Sequence, residues 1–230
     1  MSGRADPAAL AEMLRREKPD AAAFQEISAV QARAVEETGL FPHGTLDPRA
    51  DSTGLGLALR HPASIRRLPL PLRDAWIAQM RLLAAGTPGS LEIICVHITA
   101  PHQLPPWQML AQRRAQVRAL HAHIARGGRR PLVLLGDLNS TPFFPAYRSL
   151  TRALGASPGR VDAALIASLR NGHAAAPTWA PRPGWRHLLR IDHALVDPSV
   201  EVGAVRTLDL PGSDHVALIL DIHLPRPTQP

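Results

Sequence analysis

Residues 131–142 read PLVLLGDLNSTP, an apolar run that passes directly into polar residues. A short uninterrupted run of Leu and Val that begins after Pro131 predicts a strand. Asp137 and Asn139 come at the end of that strand, where a rigid element can hold polar side chains at the rim of a site. The stretch therefore predicts a core strand and a candidate functional position together.

Polar residues flank predicted strands in other parts of the chain as well. A carboxylate in such a place is commonly a cap or turn residue, and a lone His is commonly an ordinary core or surface group. An ordinary structural role explains each of these polar residues alone, but it is less convincing for the whole set. Their joint occurrence at strand ends predicts one shared site. They are Gln25-Glu26 after residues 21–25, His97 in residues 91–99, Asp192 in residues 191–196, and Ser213-Asp214-His215 before residues 216–223.

The remaining segments mix helices with strands. Asp6 and Pro7 predict an N-cap and a first helical residue, and Pro19 ends that helix. Helices and strands in this order, with neighbours that look antiparallel, predict a layered α/β sandwich rather than an alternating, doubly wound sheet. Further helices are predicted at residues 29–38, 107–126 and 145–154, and further strands at residues 55–60 and 76–83.

Length and composition predict one soluble domain. The chain has 230 residues, of which 45% are hydrophobic, and it contains no internal repeat and no long linker. We expect residues 1–224 to form this domain and the tail PRPTQP, residues 225–230, to be disordered. The single cysteine, Cys95, excludes an internal disulfide framework and a four-cysteine zinc module.

Nothing in the sequence predicts a membrane protein. No apolar run approaches the roughly 20 residues that cross a bilayer. The first residues, MSGRADPAAL, lack the basic segment and apolar core of a secretory signal. We therefore predict a cytoplasmic monomer with no membrane span.

The charge balance favours polyanionic ligands. There are 26 basic and 19 acidic residues, a net charge of +7, and all but one of the basic residues are arginine. Arginine forks match phosphate oxygens, and a positive cleft concentrates phosphate-bearing ligands. Biased codon usage explains an arginine-rich composition equally well and stays open as an alternative. Aromatic residues make up only 4% and do not interleave with the arginines, which argues against a stacking platform for single strands.

Three other kinds of site find little support. His121 and His123 are two residues apart on a predicted helix and point to different faces, which argues against a zinc site. Ser213, Asp214 and His215 are consecutive and cannot form a nucleophilic triad among themselves. The sequence also lacks a phosphate-binding glycine loop of the P-loop or dinucleotide kind.

Five short motifs, in this order, resemble those of the endonuclease/exonuclease/phosphatase superfamily, which includes the deoxyribonuclease-I-like enzymes. The run Gly136–Pro142 and the Ser-Asp-His triplet are the most specific of them. PTW at residues 177–179 further resembles an uncharacterised bacterial branch, and GLGLALRHP at residues 54–62 is similar to a glycine-then-strand segment of the family. The motifs are FQE (24–26), CVH (95–97), GDLNSTP (136–142), IDH (191–193) and SDH (213–215).

This resemblance implies a four-layer α/β/β/α sandwich of two mixed sheets. It also implies divalent-metal-dependent hydrolysis of phosphoester bonds by in-line attack of a water, as in a phosphodiesterase, a nuclease or a phosphatase. Mg²⁺, which Mn²⁺ can replace, is held by one or two carboxylates and leaves room for substrate phosphate. Glu26 and Asp214 suit that role, and Asp137 with Asn139 would orient or deprotonate the water.

The histidines carry the remaining roles that the resemblance implies. His215 matches the residue that contacts the scissile phosphate or assists the nucleophile, and Asp192 matches the carboxylate that holds that ring. His97 matches the usual proton donor to the leaving oxygen. Arg60 and Arg190 are candidates to clamp substrate phosphate. The resemblance spans DNA, RNA, lipid and small phosphoester substrates, among which the basic charge favours nucleic acid.

One departure from the family pattern stands at the start of the chain. Members normally begin with a core strand that ends in an asparagine, whereas Met1 lies almost directly before the first predicted helix. That first strand and its asparagine have no counterpart. A different start, a rearranged sheet and a catalytically impaired chain that only binds polyanions such as nucleic acid are the explanations left open.

Overall fold

The computed structural model of the chain describes residues 5–84, 87–127, 131–152 and 159–224. The predicted disordered tail, residues 225–230, lies outside the described residues. The helices are α1 (Pro7–Glu17), α2 (Ala29–Glu36), α3 (Pro106–Arg126), α4 (Pro145–Thr151) and α5 (Ala163–Asn171). The strands are β1 (Ala21–Gln25), β2 (His43–Asp47), β3 (Leu55–Leu59), β4 (Ala63–Pro69), β5 (Asp74–Ala84), β6 (Thr87–His97), β7 (Leu132–Asp137), β8 (Val161–Asp162), β9 (Asp192–Val196), β10 (Glu201–Leu208) and β11 (Ala217–His223).

A six-stranded sheet forms one of the two inner layers. Its strand order is β4-β5-β6-β7-β9-β8. The pair β6 and β7 is parallel and the other pairs are antiparallel, so this sheet is mixed. Because two parallel neighbours need a crossover connection, the long helix α3 lies between β6 and β7 in the chain.

The other inner layer consists of two separate antiparallel pieces. One has the strand order β1-β3-β2, and the other is the pair β10-β11. Apolar side chains from both pieces pack against the six-stranded sheet, in a core that includes Leu57, Met80, Ile93 and Val133. The second layer is therefore divided, a feature that the sequence did not predict.

Helices cover both outer faces, which confirms the predicted α/β/β/α order. On the six-stranded sheet, Leu120 of α3 and Leu150 of α4 are fully buried. On the divided layer, Leu14 of α1 and Val35 of α2 close a smaller core. The first helix or strand among the described residues is α1. In the described residues, no helix combines the length and apolar character needed to span a bilayer.

The ends of α1 follow the capping signals of the sequence. The Asp6 carboxylate accepts a hydrogen bond from the Ala9 amide at 2.8 Å, and Pro7 occupies the first helical position. At the other end, Lys18 has a left-handed conformation with φ 46°, and Pro19 prevents continuation. The predicted start and stop of this helix are both confirmed.

Gly136 fixes how closely β7 approaches β6, and we predict a large effect of replacing it. Its φ is +145°, and a Cβ on it would stand 1.9 Å from the carbonyl oxygen of Val96. Gly136→Ala is therefore expected to lower the free energy of unfolding by about 3 kcal/mol or more, measured by urea denaturation. Gly39→Ala is the matched control, because Gly39 has φ +66° but nothing within 4 Å of the added Cβ, and about 1 kcal/mol is expected. Equal losses for the two variants would show that the Val96 contact is unimportant.

Candidate active site

Three polar residues lie side by side across the six-stranded sheet. His97 is the register partner of Asp137 in the parallel pair β6-β7. Asp137 is in turn the register partner of Asp192 in the antiparallel pair β7-β9. Because neighbouring strands are about 4.8 Å apart, the backbone ladder itself places these three side chains next to one another.

Asn139 holds the carboxylate of Asp137 from two directions. Its amide N–H donates to Asp137 Oδ1 at 2.7 Å, and its side-chain Nδ2 donates to Asp137 Oδ2 at 2.9 Å. The same Nδ2 also donates to the carbonyl oxygen of Ile98 at 2.9 Å. Asn139 has φ 47°, a left-handed conformation that Asn tolerates better than most residues. The carboxylate orientation is therefore fixed before any ligand binds.

His97 lies beneath the carboxylates and is nearly inaccessible, with 2% of its surface exposed. The Arg73 guanidinium lies 2.7 Å from its Nδ1. Because Arg has no acceptor atom, Nδ1 must accept this hydrogen bond, and the proton of the neutral ring is on Nε2. Nε2 faces Asp137 Oδ2 at 3.4 Å and Glu26 Oε1 at 4.0 Å.

Arg73 is itself held by two loops. It donates to the carbonyl oxygen of Ser52 and, at 2.8 Å, to Oε1 of Gln103. Burial lowers the pKa of Arg73, while the nearby charges of Glu26 and Asp137 raise it, and the net shift is downward. The guanidinium thus places a positive charge next to the carboxylates of the cluster.

Glu26 comes from the other inner layer, directly after β1. It has φ 57°, an uncommon conformation for a residue of this kind. Its side chain is 35% exposed, in contrast to the 8% of Asp137. Strained backbone of this kind is concentrated at functional positions. In this chain it occurs at Glu26, where the backbone leaves β1 and the side chain enters the cluster.

Asp192 and His215 form a tight pair at the opposite side of Asp137. The Nδ1 atom of His215 lies 2.8 Å from Asp192 Oδ2. Burial alone would lower the pKa of His215, but the charge and the hydrogen bond of Asp192 outweigh it and raise this pKa to about 10. Burial would raise the pKa of Asp192, and the charge and hydrogen bond of His215 bring it below its usual value. At neutral pH the pair is an imidazolium held by a carboxylate.

Thr178 anchors the start of β9. Its Oγ1 accepts hydrogen bonds from the amides of Ile191 and Asp192, both at 3.1 Å. The neighbouring Trp179 forms an antiparallel bridge with His215. The segment around residue 178 therefore ties both members of the imidazolium–carboxylate pair to one short backbone ladder.

The oxygen atoms of this cluster suit a hard divalent cation. One ligand atom each from Asp137, Asp192 and His215 lies within 4.8 Å of the others. Asp137 and Asp192 contribute carboxylate oxygens and His215 an imidazole nitrogen to this group, and Glu26 lies nearby beside His97. Mg²⁺ prefers such oxygen ligands. The group gathered here differs from the predicted pair Glu26 and Asp214.

Asp214, which the sequence predicts as a metal ligand, lies outside the group of close ligand atoms. Its carbonyl oxygen accepts a hydrogen bond from the Ala180 amide at 2.8 Å, and its side chain is half-buried. Its charge helps to raise the pKa of His215. Its carboxylate is not among the atoms that lie within 4.8 Å of one another.

The structure does not bring the two predicted phosphate clamps to the cluster. Arg60 donates to the carbonyl oxygen of Lys18 at 3.0 Å, at the end of β1 opposite Glu26. Arg190 is 9% exposed and lies 3.5 Å from Asp162, behind β9. Both guanidinium groups therefore have structural partners of their own.

Comparison with known proteins agrees with this geometry. The model of the endonuclease/exonuclease/phosphatase family matches residues 1–215. Among solved structures, an endonuclease/exonuclease/phosphatase from Beutenbergia cavernae gives a TM-score of 0.70 at 20% identity, over 96% of this chain and 66% of that chain. The human Nocturnin catalytic domain, solved with a bound sulfate anion, gives 0.62 at 19% identity, over 94% and 85% of the two chains. The Xenopus laevis APE2 catalytic domain gives 0.67 at 16% identity, over 99% and 92%. No curated protein matches the chain.

At these low identities the solved structures establish the fold, and the family assignment comes from the match over residues 1–215. It agrees with the motifs from Phe24 to His215, whose residues the structure gathers mainly at one edge of the two inner layers. The chain belongs to the endonuclease/exonuclease/phosphatase family.

Proposed function

We propose that the chain is a divalent-metal-dependent hydrolase of phosphoester bonds, acting by in-line attack of a water. The observation that carries this proposal is the proximity of Asp137 to both the His97–Glu26 group and the His215–Asp192 pair. The family membership and the similarity to two catalytic domains support it. The collected carboxylates do not favour the alternative of a non-catalytic protein that only binds polyanions.

The carboxylates would hold the metal and prepare the water. Glu26 and Asp137 offer oxygens of the kind that Mg²⁺ or Mn²⁺ binds, and Asp214 is retained as a candidate ligand beside His215. When bound, such a cation neutralises charge on phosphoester oxygens and lowers the pKa of a bound water. Asp137, with both oxygens held by Asn139, orients the attacking water and accepts its proton.

The two histidines would have different tasks. His215 is an imidazolium whose side chain is 28% exposed, so it can donate to a phosphate oxygen or to the leaving oxygen. Asp192 holds its Nδ1–H and thereby fixes the ring. The sequence predicted that His97 protonates the leaving oxygen, but its burial and its Nε2–H toward Asp137 favour a positioning role. We propose His215 as the proton donor.

Metal removal tests the proposal directly. EDTA treatment is expected to reduce hydrolysis of bis(p-nitrophenyl) phosphate to the background rate, and added Mg²⁺ or Mn²⁺ is expected to restore it. EDTA saturated beforehand with Mg²⁺ is the control for effects of the chelator itself. Full activity in EDTA would indicate a metal-free hydrolase, and DNA binding without turnover in either metal would favour the polyanion-binding alternative.

A further inference from the structure

Exposed apolar side chains are concentrated at the edge of the sandwich that carries the candidate site. In the described part of the chain, eleven large apolar side chains are exposed, and only Leu165 and Leu169 of α5 lie away from that edge. Seven of the others lie in three segments that begin or end beside the site strands. We call these segments the apolar rim: the start of α3 (residues 107–110), the approach to α4 (residues 143–144) and the loop before β9 (residues 185–189).

Two contacts place the starts of α3 and α4 side by side at this edge. Arg113 of α3 donates to the carbonyl oxygen of Asn139 at 3.1 Å, and His121, two turns later, lies 3.0 Å from the carbonyl oxygen of Ser149. The two helices therefore run in the same direction, away from the site. Trp107 comes six residues before Arg113, so it lies about 9 Å further out along the axis of α3.

The side chains of the apolar rim are open to solvent. Phe143 is 88% exposed and Trp107 is 71% exposed. Leu110 follows Trp107 by one helical turn on the same face of α3, and it is exposed as well. In the loop before β9, Leu188 and Leu189 are both exposed. Apolar side chains gathered in this way beside a site indicate an interaction surface, because burying them against a partner is favourable.

Exposed arginines lie one helical turn behind the apolar side chains, further from the tip of each helix. Arg114 comes four residues after Leu110 on α3, and Arg148 comes four residues after Phe144 on α4. Because residues four apart lie on the same helix face, each arginine lies directly behind an apolar group. The surface thus has apolar tips with a band of positive charge behind them.

We propose that the apolar rim and its arginines bind an anionic lipid surface, so that the candidate site faces the boundary between membrane and water. The apolar tips enter the outer part of the acyl layer, and the arginines behind them meet the phosphates of the headgroups. The net charge of +7 adds a long-range attraction to such a surface. This binding does not depend on the proposed chemistry.

Two other partners fit the same surface less well. A nucleic acid binds aromatic rings by stacking its bases on them, but Leu110, Leu188 and Leu189 have no ring. The guanidinium of Arg182 also lies over the ring of Trp185, 5.3 Å from its centre. In a two-fold contact with a second copy of the chain, the same arginines would come together and repel one another.

Sedimentation with vesicles tests the proposal. The wild-type chain is expected to bind vesicles of phosphatidylcholine and phosphatidylglycerol in equal parts about tenfold more tightly than vesicles of phosphatidylcholine alone. Trp107→Ser combined with Phe143→Ser is expected to weaken binding to the mixed vesicles about tenfold or more, because the apolar tips are lost. Arg114→Gln combined with Arg148→Gln is expected to have an effect of similar size. All four side chains are exposed, so a thermal melt should show an intact fold.

Leu165→Ser combined with Leu169→Ser is the matched control. Both leucines are exposed, at 50% and 79%, but they lie on α5. That helix ends beside Val202, to whose carbonyl oxygen Arg170 donates, and Val202 lies at the end of the β10-β11 pair that is distant from His215. The control variant is expected to bind mixed vesicles as tightly as the wild-type chain.

Wild-type binding by the variant of Trp107 and Phe143, or an equal loss in the control variant, would overturn the proposal. Equal binding to the two kinds of vesicle would also overturn it. If vesicles are not bound, but a single-stranded oligonucleotide is bound and released by the same two substitutions, the surface belongs to nucleic acid. A dimer in light scattering that these substitutions dissociate, without vesicle binding, would assign it to a second copy. Metal-dependent hydrolysis of bis(p-nitrophenyl) phosphate without vesicle binding would overturn this proposal and leave the proposed function in place.

Discussion

Asp137→Asn is expected to reduce the rate of phosphodiester hydrolysis by about a thousandfold or more, since it removes the group proposed to accept the proton of the attacking water. The substitution also removes a negative charge from the cluster that would hold the cation. One oxygen of the new amide can still accept a hydrogen bond from Asn139, so the local fold should survive. The measurement is kcat/KM for bis(p-nitrophenyl) phosphate in saturating Mg²⁺, with a thermal melt to verify folding.

Asp20→Asn is the matched control for this substitution. Asp20 immediately precedes β1 and lies at the opposite end of that strand from Glu26, with an exposed carboxylate near Arg60 and His61. Its loss should leave the rate unchanged within about twofold, because exposed ion pairs contribute little. If Asp137→Asn keeps wild-type activity, the proposed water-activating role of Asp137 is wrong.

His215→Ala is expected to reduce the same rate by about a hundredfold to ten-thousandfold, because it removes the proposed proton donor and a positive charge from the side of the site proposed to face the phosphate. The loss should appear mainly in kcat, since these interactions strengthen as charge develops on the leaving oxygen. His61→Ala is a suitable control, because His61 pairs only with exposed Asp20 in the described contacts. An unchanged kcat in His215→Ala would exclude His215 from the chemistry.

The pH profile gives a separate readout of the same pair. With its pKa at about 10, His215 should remain protonated through neutral pH, and activity should fall as the pH rises toward that value. Asp192→Asn removes the charge and hydrogen bond that raise this pKa, so the alkaline fall is expected to begin at lower pH. An alkaline limb that stays in place would contradict the proposed role of Asp192.

Elements with strong local signals were predicted well from the sequence. The helix from Pro7 and the strand before Asp137 need only a cap, a proline or an apolar run to be recognised. The strands β2 and β10 were missed because they are only partly buried, and β10 contains an irregularity between Val202 and Val205. Such strands are stabilised mainly by hydrogen bonds to the neighbouring strand, and the local sequence does not show which strands pair.

Helix α5 was missed although its boundaries carry ordinary signals. The Asp162 side chain accepts from the Ala164 amide at 3.0 Å, and Gly172 ends the helix with φ 69°. The sequence analysis assigns no helix to residues 163–171, because arginines and prolines surround this segment. Asp162 also binds His193 at 2.7 Å, a tertiary contact that links the helix start to β9.

The candidate site was predictable where it depends on strand ends and unpredictable where it depends on long side chains. Asp137 and Asp192 lie at the ends of strands that the apolar runs predict, and the register that pairs them is seen in the structure. Arg73 was missed because one arginine among many in an irregular loop carries no signal of its own. Arg60 and Arg190 were predicted as phosphate clamps because of their charge alone. The position of a guanidinium group depends on tertiary packing, and both groups lie against structural partners. The roles assigned to these residues stay predictions until they are measured.

Arg73 links parts of the molecule that are far apart in the chain. The same guanidinium contacts Ser52, His97 and Gln103, so two surface loops meet at one buried cation. Displacing either loop would break a hydrogen bond that holds Arg73, and the separate hydrogen bond from Arg73 to His97 determines which nitrogen of the imidazole carries its proton. Under the proposed function, sequence changes in either loop are therefore expected to alter the hydrolysis rate through Arg73 and His97, without any change at the carboxylates themselves.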